Sequence, residues 1–447
     1  MALEQMPMRW IELETDGWEA ACAALRRPLP ELDDDLLRTV AEIAQRVRRD
    51  GDLALLELGR RFDAPGLNSL KVDPEEWEAG IAAVEETLRR ALERAACAIR
   101  SFHEAQLRTS WMCFADHGLV GQIIRPLARV GVYVPGGRAV YPSSVLMCGV
   151  PASVAGVEEV VLCTPASRDG TVHPTVLYAA KLAGVRAIYK VGGAQAVAAM
   201  AYGTETIPRV DKIVGPGNVY VCAAKRLLWG VADMDMIAGP SEVCVVADEK
   251  ANPVLVAADM LTQAEHDPDC AAYLLTPSKE LASRVREEIG VQLQSMSRGP
   301  IAAEALEKQG VCIVTRNLDE AVRLANECAP EHLALHVEEP MAWLGKVRNA
   351  GAVMLGAYTP QTAGDYLAGP SHTLPTSGTA RFWSPLNVDT FLKKTSLVAM
   401  TREQLSAVAA DLELLAEVEG FQGHARAVQV RMDDGAGDTA PFTEGQE

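Results

Sequence analysis

Short runs rich in β-branched residues alternate with alanine-rich segments along most of the chain, and this alternation limits the possible folds more than any other feature. The first of these runs are Gln122–Ile124, Val130–Val134, Val160–Leu162, Ala187–Val191 and Lys212–Val214. Strands that alternate with helices are typical of βαβ units built around a parallel sheet. The rhythm resumes after the Ala-Gly-Pro turn at 238–240. We therefore predict two α/β lobes with parallel sheets and a seam near residue 238.

The two ends of the chain follow other patterns. Near the N-terminus, apolar residues at three- and four-residue spacing predict helices at Asp33–Arg48 and Glu75–Gln106. Residues 357–389 are rich in Thr, Pro and Gly, which predicts a long irregular segment of a kind that is usually functional or disordered. A helical arm is predicted at about Arg402–Val430, and the polar, acidic tail 432–447 is predicted to be disordered.

The composition excludes several classes of protein. With 447 residues and a net charge of −18, the chain has room for two or more domains, and its surface repels nucleic acids and anionic membranes. The sequence contains no basic stripe, no apolar run of membrane-spanning length and no N-terminal secretory pattern. Its ten cysteines are scattered and form no CxxC pair, as in reduced proteins. We expect a cytoplasmic protein that binds neither nucleic acid nor membranes.

A first candidate site is the segment Gln263-Ala-Glu-His266, which lies within a helical pattern. Residues three apart share one face of a helix, so Gln263 and His266 could offer an oxygen and a nitrogen to one metal ion. Imidazole nitrogen suits zinc, and a carboxamide oxygen is an acceptable harder ligand. A polar helix end before Asp267-Pro268 explains the same residues without any metal.

A second candidate site is Pro330-Glu331-His332, at a predicted helix-to-strand junction. Side chains of adjacent residues on a turn can flank one ligand. A carboxylate beside an imidazole offers a base that activates water and a proton acceptor that works near neutral pH. The alternative is a capping glutamate followed by a surface histidine.

Two further pairs of residues have side chains suited to ligands. Asp365 and His372 lie in the irregular segment, where Asp365 could bind a metal and His372 a polar group of a ligand. Asp and His also simply suit turns. Glu419 and His424 lie five residues apart near the end of the chain, where a solvent-exposed helix explains them equally well.

Glycine-containing turns follow several predicted strands. Their sequences are VPGG at 134–137, VGGAQ at 191–195 and GPGN at 215–218. Backbone amides in such turns could bind a pyrophosphate at the start of a helix, although neither GxGxxG nor GxxxxGK is present. Ser241 follows a Gly-Pro pair without the GxSxG pattern of a nucleophile elbow, so the sequence does not indicate a serine hydrolase.

Taken together and in this order, the motifs closely resemble those of the histidinol dehydrogenase family. The resemblance runs from about residue 20 to residue 431. The matching segments are MDMIAGPSEVCVVAD at 234–248, LTQAEHDPD, APEHLALHV, TAGDYLAGPSHTLPTSGTARF and the closing GHARAV.

The resemblance implies specific roles for the candidate residues. The zinc ligands would be Gln263, His266, Asp365 and His424. The acid/base pair would be Glu331 and His332, and the substrate would touch this pair, the zinc ligands and also Ser241, His372 and Glu419. His372 and Glu419 would hold the imidazole of the substrate, and NAD would be bound by Tyr133, Gln195 and Asn218.

The resemblance also implies the fold, the assembly and the reaction. The fold would be two incomplete Rossmann-like lobes with parallel sheets, a helical N-terminal segment and a helical C-terminal arm. The family forms homodimers, in which His424 and Glu419 would complete the partner's active site. The reaction would be the oxidation of L-histidinol through L-histidinaldehyde to L-histidine with two NAD and zinc, at the end of histidine biosynthesis.

The same reasoning divides the chain into domains and leaves alternatives open. The predicted divisions are an N-terminal segment 1–29, a first α/β lobe 30–128 with 239–380 that carries the metal and catalytic residues, a second α/β lobe 129–238 for NAD, an arm 381–431 and a tail 432–447. Ser371, Met234 and Trp383 depart from the family's usual residues, and Ser371 and Trp383 bear on substrate choice. A related enzyme for another polyol, or a catalytically silent metal-binding protein, remain the alternatives.

Overall fold

The computed structural model describes most of the chain. The described residues are 8–27, 33–116, 118–136 and 139–433. The predicted disordered tail lies outside them from residue 434 onward. Within the described residues, no helix is both long enough and apolar enough to cross a bilayer.

Fourteen strands are formed by the described residues. In chain order they are β1 Arg9–Glu12, β2 Trp111–Ala115, β3 Gly118–Pro126, β4 Arg129–Tyr133, β5 Glu159–Thr164, β6 Ala187–Lys190, β7 Lys212–Val214, β8 Asp233–Met234, β9 Glu242–Ala247, β10 Ala271–Thr276, β11 Val311–Val314, β12 His332–His336, β13 Ala352–Leu355 and β14 Leu392–Ala399.

The α-helices separate and flank these strands. In chain order they are α1 Leu13–Leu25, α2 Asp34–Phe62, α3 Pro74–Ala83, α4 Glu86–Glu104, α5 Pro142–Val154, α6 Pro174–Leu182, α7 Gly193–Tyr202, α8 Val219–Leu228, α9 Pro253–Ala264, α10 Lys279–Leu293, α11 Gly299–Gln309, α12 Leu318–Cys328, α13 Pro340–Leu344, α14 Gln361–Tyr366, α15 Arg402–Val418 and α16 Gln422–Met432.

The chain divides into two compact units. The first consists of residues up to Leu107 together with Leu127–Phe391, and the second of Arg108–Pro126 together with the residues from Leu392 onward. The first unit contains both parallel sheets, and the second contains a small antiparallel sheet and the last two α-helices.

The larger sheet has six parallel strands in the order β1-β11-β10-β9-β12-β13. Every residue of β9 and β10 is buried, as expected for central parallel strands covered on both faces. Helices α9, α10 and α11 share a core with one face, and α1 and α12 share a core with the other. Because helices cover both faces of the sheet, its central strands appear in the sequence as continuous apolar runs.

The smaller sheet has five parallel strands in the order β6-β5-β4-β7-β8. From the central β4 the chain passes first to β5 and β6 on one side, and later to β7 and β8 on the other. In such sheets, ligands bind beyond the carboxyl ends of the strands where the strand order reverses. Helices α2, α7 and α8 share one core with this sheet.

The predicted fold class is confirmed: two parallel sheets are flanked by helices, with α1 and α2 among the first described elements and α15 and α16 as the last. The predicted domain boundaries stay a prediction, although α2 packs on the five-stranded sheet and not on the six-stranded sheet, with which those boundaries group it. The run Gln122–Ile124 was wrongly attributed to the parallel rhythm. It lies in β3, which pairs antiparallel with β2 and β14 in the second unit.

Candidate active site

Helix α9 and strand β12 bring Gln263 against His332. Asn252 caps the start of α9 by accepting a hydrogen bond from Val254 N, and Gln263 lies in the last turn of this helix. Its Nε2 is 3.0 Å from Nδ1 of His332, the first residue of β12. Both side chains are buried. Gln263 Oε1 is also buried, and it has no hydrogen-bond partner within the described residues.

The short helix α14 places Asp365 on the other side of the same ring. Asp365 Oδ1 is 3.5 Å from Nε2 of His332, within ion-pair distance, and Nε2 has no hydrogen-bond partner within the described residues. The segment 357–389 therefore contributes a carboxylate beside His332. Gln263 and Asp365 approach the two different ring nitrogens of His332.

Glu331 is held by a reciprocal arrangement with Glu242, the first residue of β9. Glu331 Oε2 accepts a hydrogen bond from Glu242 N at 2.9 Å, and Glu242 Oε1 lies 3.3 Å from Glu331 N. The neighbouring strands β9 and β12 run parallel with Val243 opposite His332, which sets the two carboxylates side by side. Arg27 Nη1 lies 3.7 Å from Glu242 Oε2. Glu331 is therefore oriented by its neighbours before any ligand binds.

Sequence reasoning missed Glu242. It read as the first residue of an apolar strand, EVCVVA, and was given no role. A single carboxylate in a strand buried at every position was the available signal, since acidic residues are almost never fully buried unless paired. Glu242 Oε1 also accepts a hydrogen bond from Ser377 N at 2.9 Å, so this side chain joins β9, β12 and the irregular segment.

The carboxylates around His332 control its charge in the protein without metal. Burial by itself lowers the pKa of His332, but the negative charges of Glu331 and Asp365 outweigh burial and raise this pKa to about 10. A cation beside Asp365 would offset the charge of that carboxylate and favour the neutral ring that a general base requires.

Glu242 should make folding less favourable as the pH rises. Burial, opposed by Arg27 and assisted by Glu331, raises the pKa of Glu242 from 4.5 to about 7. Between these values the folded protein holds the proton more tightly than the unfolded chain, so stability falls as pH rises through this window. A shift of this size is worth roughly 3 kcal/mol at pH 8.

Urea unfolding of the Glu242→Gln protein at pH 5 and pH 8 tests this expectation. The amide oxygen can still accept hydrogen bonds from Glu331 N and Ser377 N, but the charge is gone. We expect the variant to gain stability over the wild type at pH 8 relative to pH 5. The exposed Glu338 gives the control Glu338→Gln, which should show no such change. Equal pH dependence in Glu242→Gln and wild type would contradict a buried charge.

His372 lies beside Asp365 with both ring nitrogens engaged. Its Nδ1 is 3.1 Å from the main-chain oxygen of Asp365, and its Nε2 is 3.1 Å from Ser144 Oγ. Nδ1 therefore donates to this oxygen, and the Ser144 hydroxyl is able to donate to Nε2 of a neutral ring. Burial lowers the pKa of His372, in agreement with this form.

A cavity lies beside His332, Asp365 and His372. Its volume is about 430 Å³, a size suited to a small molecule. His332, Asp365 and His372 line it, together with Phe102 of α4, Gln106 just after that helix, and further residues of the segment 357–389. The predicted irregular segment thus forms one wall of a cavity whose polar groups come from the candidate catalytic residues.

Ser371 and Trp383, which depart from the family's usual residues, have structural partners. Ser371 is buried and its hydroxyl lies 3.2 Å from the main-chain oxygen of Met147, and Ser371 also lines the cavity. Trp383 stacks on Trp229 with ring centroids 6.2 Å apart. Only Ser371 is therefore placed where it can touch a ligand in this cavity.

His266 and Ser241 are neighbours in the sequence of Gln263 and Glu242, respectively, but they do not line the cavity. His266 follows the end of α9 and its side chain is exposed. Ser241 precedes β9 and is half-buried, and its main-chain oxygen accepts from Ala271 N. Neither of the two lines the cavity formed by described residues. Their ligand roles stay predictions.

Glu419 and His424 belong to the second unit. Glu419 is the exposed residue that ends α15, and His424 lies on α16 with its ring centroid 5.1 Å from that of Phe421. The predicted roles of both in a partner's active site are not tested by a single chain and stay predictions.

The three residues predicted to bind NAD lie at carboxyl ends of strands in the five-stranded sheet. Tyr133 ends β4, Gln195 lies in the first turn of α7 after β6, and Asn218 caps α8 after β7. Tyr133 and Asn218 thus flank the point where the strand order reverses. Tyr133 Oη accepts a hydrogen bond from Gly193 N at 3.0 Å.

The turn between β7 and α8 comes unusually close to β4. Gly215 has φ +114°, and a Cβ added there would lie 2.1 Å from the main-chain oxygen of Tyr133. Asn218 Oδ1 accepts from Tyr220 N and Val221 N, both at 3.1 Å, so its oxygen caps the helix and its amide group remains for a ligand. Asn218 is exposed at the switch point, whereas Gly215 is buried and its N–H is bonded to Asp235 Oδ2 at 2.7 Å.

Comparisons with known proteins agree along nearly the whole chain. The family model for histidinol dehydrogenase matches residues 27–432. The histidinol dehydrogenase of Moorella thermoacetica is 53% identical over 395 residues, 88% of this chain and 93% of that protein. The Halalkalibacterium halodurans histidinol dehydrogenase is 49% identical over 412 residues, 92% of this chain and 97% of that protein.

A solved structure shows the same fold. The crystal structure of histidinol dehydrogenase from Elizabethkingia anophelis superposes with a TM-score of 0.91 at 37% sequence identity. The match covers 96% of this chain and 99% of that chain. The fold and the order of motifs therefore agree with one family from end to end.

Proposed function

The chain belongs to the histidinol dehydrogenase family and is an oxidoreductase, and from this premise we propose that it oxidises L-histidinol through L-histidinaldehyde to L-histidine with two NAD. The reaction would form the last steps of histidine biosynthesis. The observation that carries the proposal is the Glu331–His332 corner, which lies against Gln263 and Asp365 at a cavity of about 430 Å³.

The residues present fit a zinc ion. Gln263 Oε1 is a buried oxygen left without a hydrogen-bond partner in the described structure, which is costly unless a ligand satisfies it. The proposed ligands are Gln263, His266, Asp365 and His424 of the partner subunit. The described residues contain no group of three His, Cys, Asp or Glu that could hold a metal, and the first unit would supply only two ligands of these types.

The cofactors would supply two kinds of chemistry when bound: zinc would polarise the alcohol oxygen and orient the substrate, and NAD would accept hydride. The proposed cofactor contacts for NAD are Tyr133, Gln195 and Asn218 at the switch point of the five-stranded sheet. Backbone amides of the neighbouring glycine turns are the donors suited to its pyrophosphate.

His332 is the proposed general base. Its Nε2, the ring nitrogen nearer Asp365, would take the hydroxyl proton during the first oxidation. Glu331, whose Oε2 is oriented by Glu242 N, would take a proton from the water that adds to the aldehyde. His332 would act a second time when the hydrated aldehyde is oxidised to the carboxylate.

Substrate retention between the two oxidations is assigned to His372 and Glu419. His372 is held through Nδ1 by the main-chain oxygen of Asp365, and its Nε2 would exchange the Ser144 hydroxyl for the imidazole of the substrate. Glu419 would come from the partner subunit and hold the same imidazole. This retention would keep the reactive aldehyde from leaving before it is oxidised.

A homodimer is proposed from the character of the second unit. Its antiparallel sheet and helices expose many large apolar side chains, among them Phe114 at 87% and Val418 at 78% exposure. Apolar side chains exposed in such number mark an interaction surface.

All ten cysteines lie in the described part of the chain and are free thiols, which supports a cytoplasmic location.

The reaction is tested by counting NADH formed from a limiting amount of L-histidinol. We expect two NADH per histidinol, loss of most activity after treatment with a chelator, and recovery on adding zinc. Sulfonated and plain diols serve as comparison substrates and should be poor. One NADH per histidinol with release of aldehyde, or faster turnover of another diol, would contradict the proposal.

A further inference from the structure

A second layer of buried polar side chains lies directly beside the candidate site. Three elements each carry two polar residues four positions apart: Asp259 and Gln263 on α9, His332 and His336 on β12, and Gln361 and Asp365 on α14. Gln263, His332 and Asp365 form the site. Asp259, His336 and Gln361 form the second layer, which no part of the proposed reaction uses.

The second layer joins the same three elements that carry the site. His336 Nε2 is 2.7 Å from Asp259 Oδ2, and Gln361 Nε2 is 3.5 Å from the main-chain oxygen of Asp259. Asp259, His336 and Gln361 are 6%, 4% and 0% exposed. Residues of β12 alternate between faces, and Ala334, between the two histidines, shares the core of α9. Both histidines therefore face this helix.

An apolar core would serve stability at least as well as this layer. Around it lie Met260 and Ala264 of α9 and Val245 of β9, all buried. Buried ion pairs are often no more stabilising than well-packed apolar residues. The Asp259–His336 pair does, however, fix one position of α9 relative to β12, because only in that position can the two side chains form their hydrogen bond.

We infer that the Asp259–His336 pair is a positioning device for the metal site, which locks α9 on β12 so that the Gln263 carboxamide is held where zinc is bound. One helical turn separates Asp259 from Gln263, and one strand residue on the same face, Ala334, separates His336 from His332. A shift of α9 along β12 would therefore move Gln263 relative to His332 and Asp365. This inference rests on the proposed function.

The test measures zinc affinity by competition with a chromogenic chelator on the full-length protein. His336→Leu removes the hydrogen bond and is expected to weaken zinc binding roughly tenfold, the scale found for residues that orient metal ligands. His336→Gln keeps a donor that can reach Asp259 and should restore affinity to within roughly threefold of wild type. Asp259→Leu, which is similar in size and carries no hydrogen-bond acceptor, is the second variant should His336→Leu not fold, and it should also weaken binding.

A matched control separates positioning from general loss of stability. His103 is another fully buried histidine, on α4, whose Nδ1 lies 2.8 Å from the main-chain oxygen of Ile99 in its own helix. His103→Leu should lower the melting temperature and leave zinc affinity unchanged. The inference is overturned if the folded His336→Leu or Asp259→Leu protein binds zinc like wild type, or if His336→Gln restores nothing. A wild-type protein that binds no zinc would instead overturn the proposed function.

Discussion

Replacing His332 with asparagine is expected to reduce the turnover number for both histidinol and histidinaldehyde by roughly 10²–10⁴-fold, the usual contribution of a general base. Asparagine retains a polar group near Gln263, whose amide is 3.0 Å from His332 Nδ1, but it cannot accept and return a proton near neutral pH. Loss in both oxidations is expected because, in the proposed reaction, one base serves both steps. Steady-state rates with each substrate provide the measurement.

Two further measurements distinguish the loss of a general base from general damage to the active site. The dissociation constant for NAD should stay within a few fold of wild type, because Tyr133, Gln195 and Asn218 lie on the other sheet of the first unit. The His103→Asn protein is the control for replacing a buried histidine, and it should retain turnover. Normal oxidation of the aldehyde by His332→Asn would contradict a shared base.

Active-site sharing predicts that two inactive proteins form an active heterodimer. His332→Asn and His424→Asn subunits, carried on different affinity tags and purified as a mixed dimer, should recover about half of the wild-type activity. One of the two sites would receive an intact His332 from one chain and an intact His424 from the other. Each homodimer of the single variants should be nearly inactive.

The reverse heterodimer is the matched control for this experiment. A wild-type subunit paired with a subunit that carries both substitutions should be inactive, because each site would contain one altered residue. If instead every chain completed its own site, this control would keep about half of the activity and the first heterodimer would have none. The two arrangements thus predict opposite outcomes from the same set of proteins.

The parallel sheets could be predicted from the sequence because their strands are buried on both faces. β9 and β10, with every residue buried, read as short apolar runs followed by helical patterns. The antiparallel sheet of the second unit could not be predicted in this way. Every residue of β2 is exposed, so no alternation of apolar and polar residues marks it, and β3 was assigned to the wrong sheet.

The candidate site could be predicted only where its residues belong to recognisable motifs. Gln263, His332 and Asp365 were named from their segments, and the structure brings these three together. Glu242 and His336 were missed, because each reads as an end residue of an apolar strand. Their roles depend on which strand and helix lie alongside, and a single sequence carries no record of those neighbours.

Anomalous diffraction at the zinc edge, from crystals of the assembled protein with zinc and histidinol, tests the central claim most directly. The account predicts one zinc peak per subunit, bound by Gln263 Oε1, Asp365 and His266 and by His424 of the partner subunit, with His332 beside it. A single zinc peak bound elsewhere, or a zinc site completed by the same chain's His424, would contradict it.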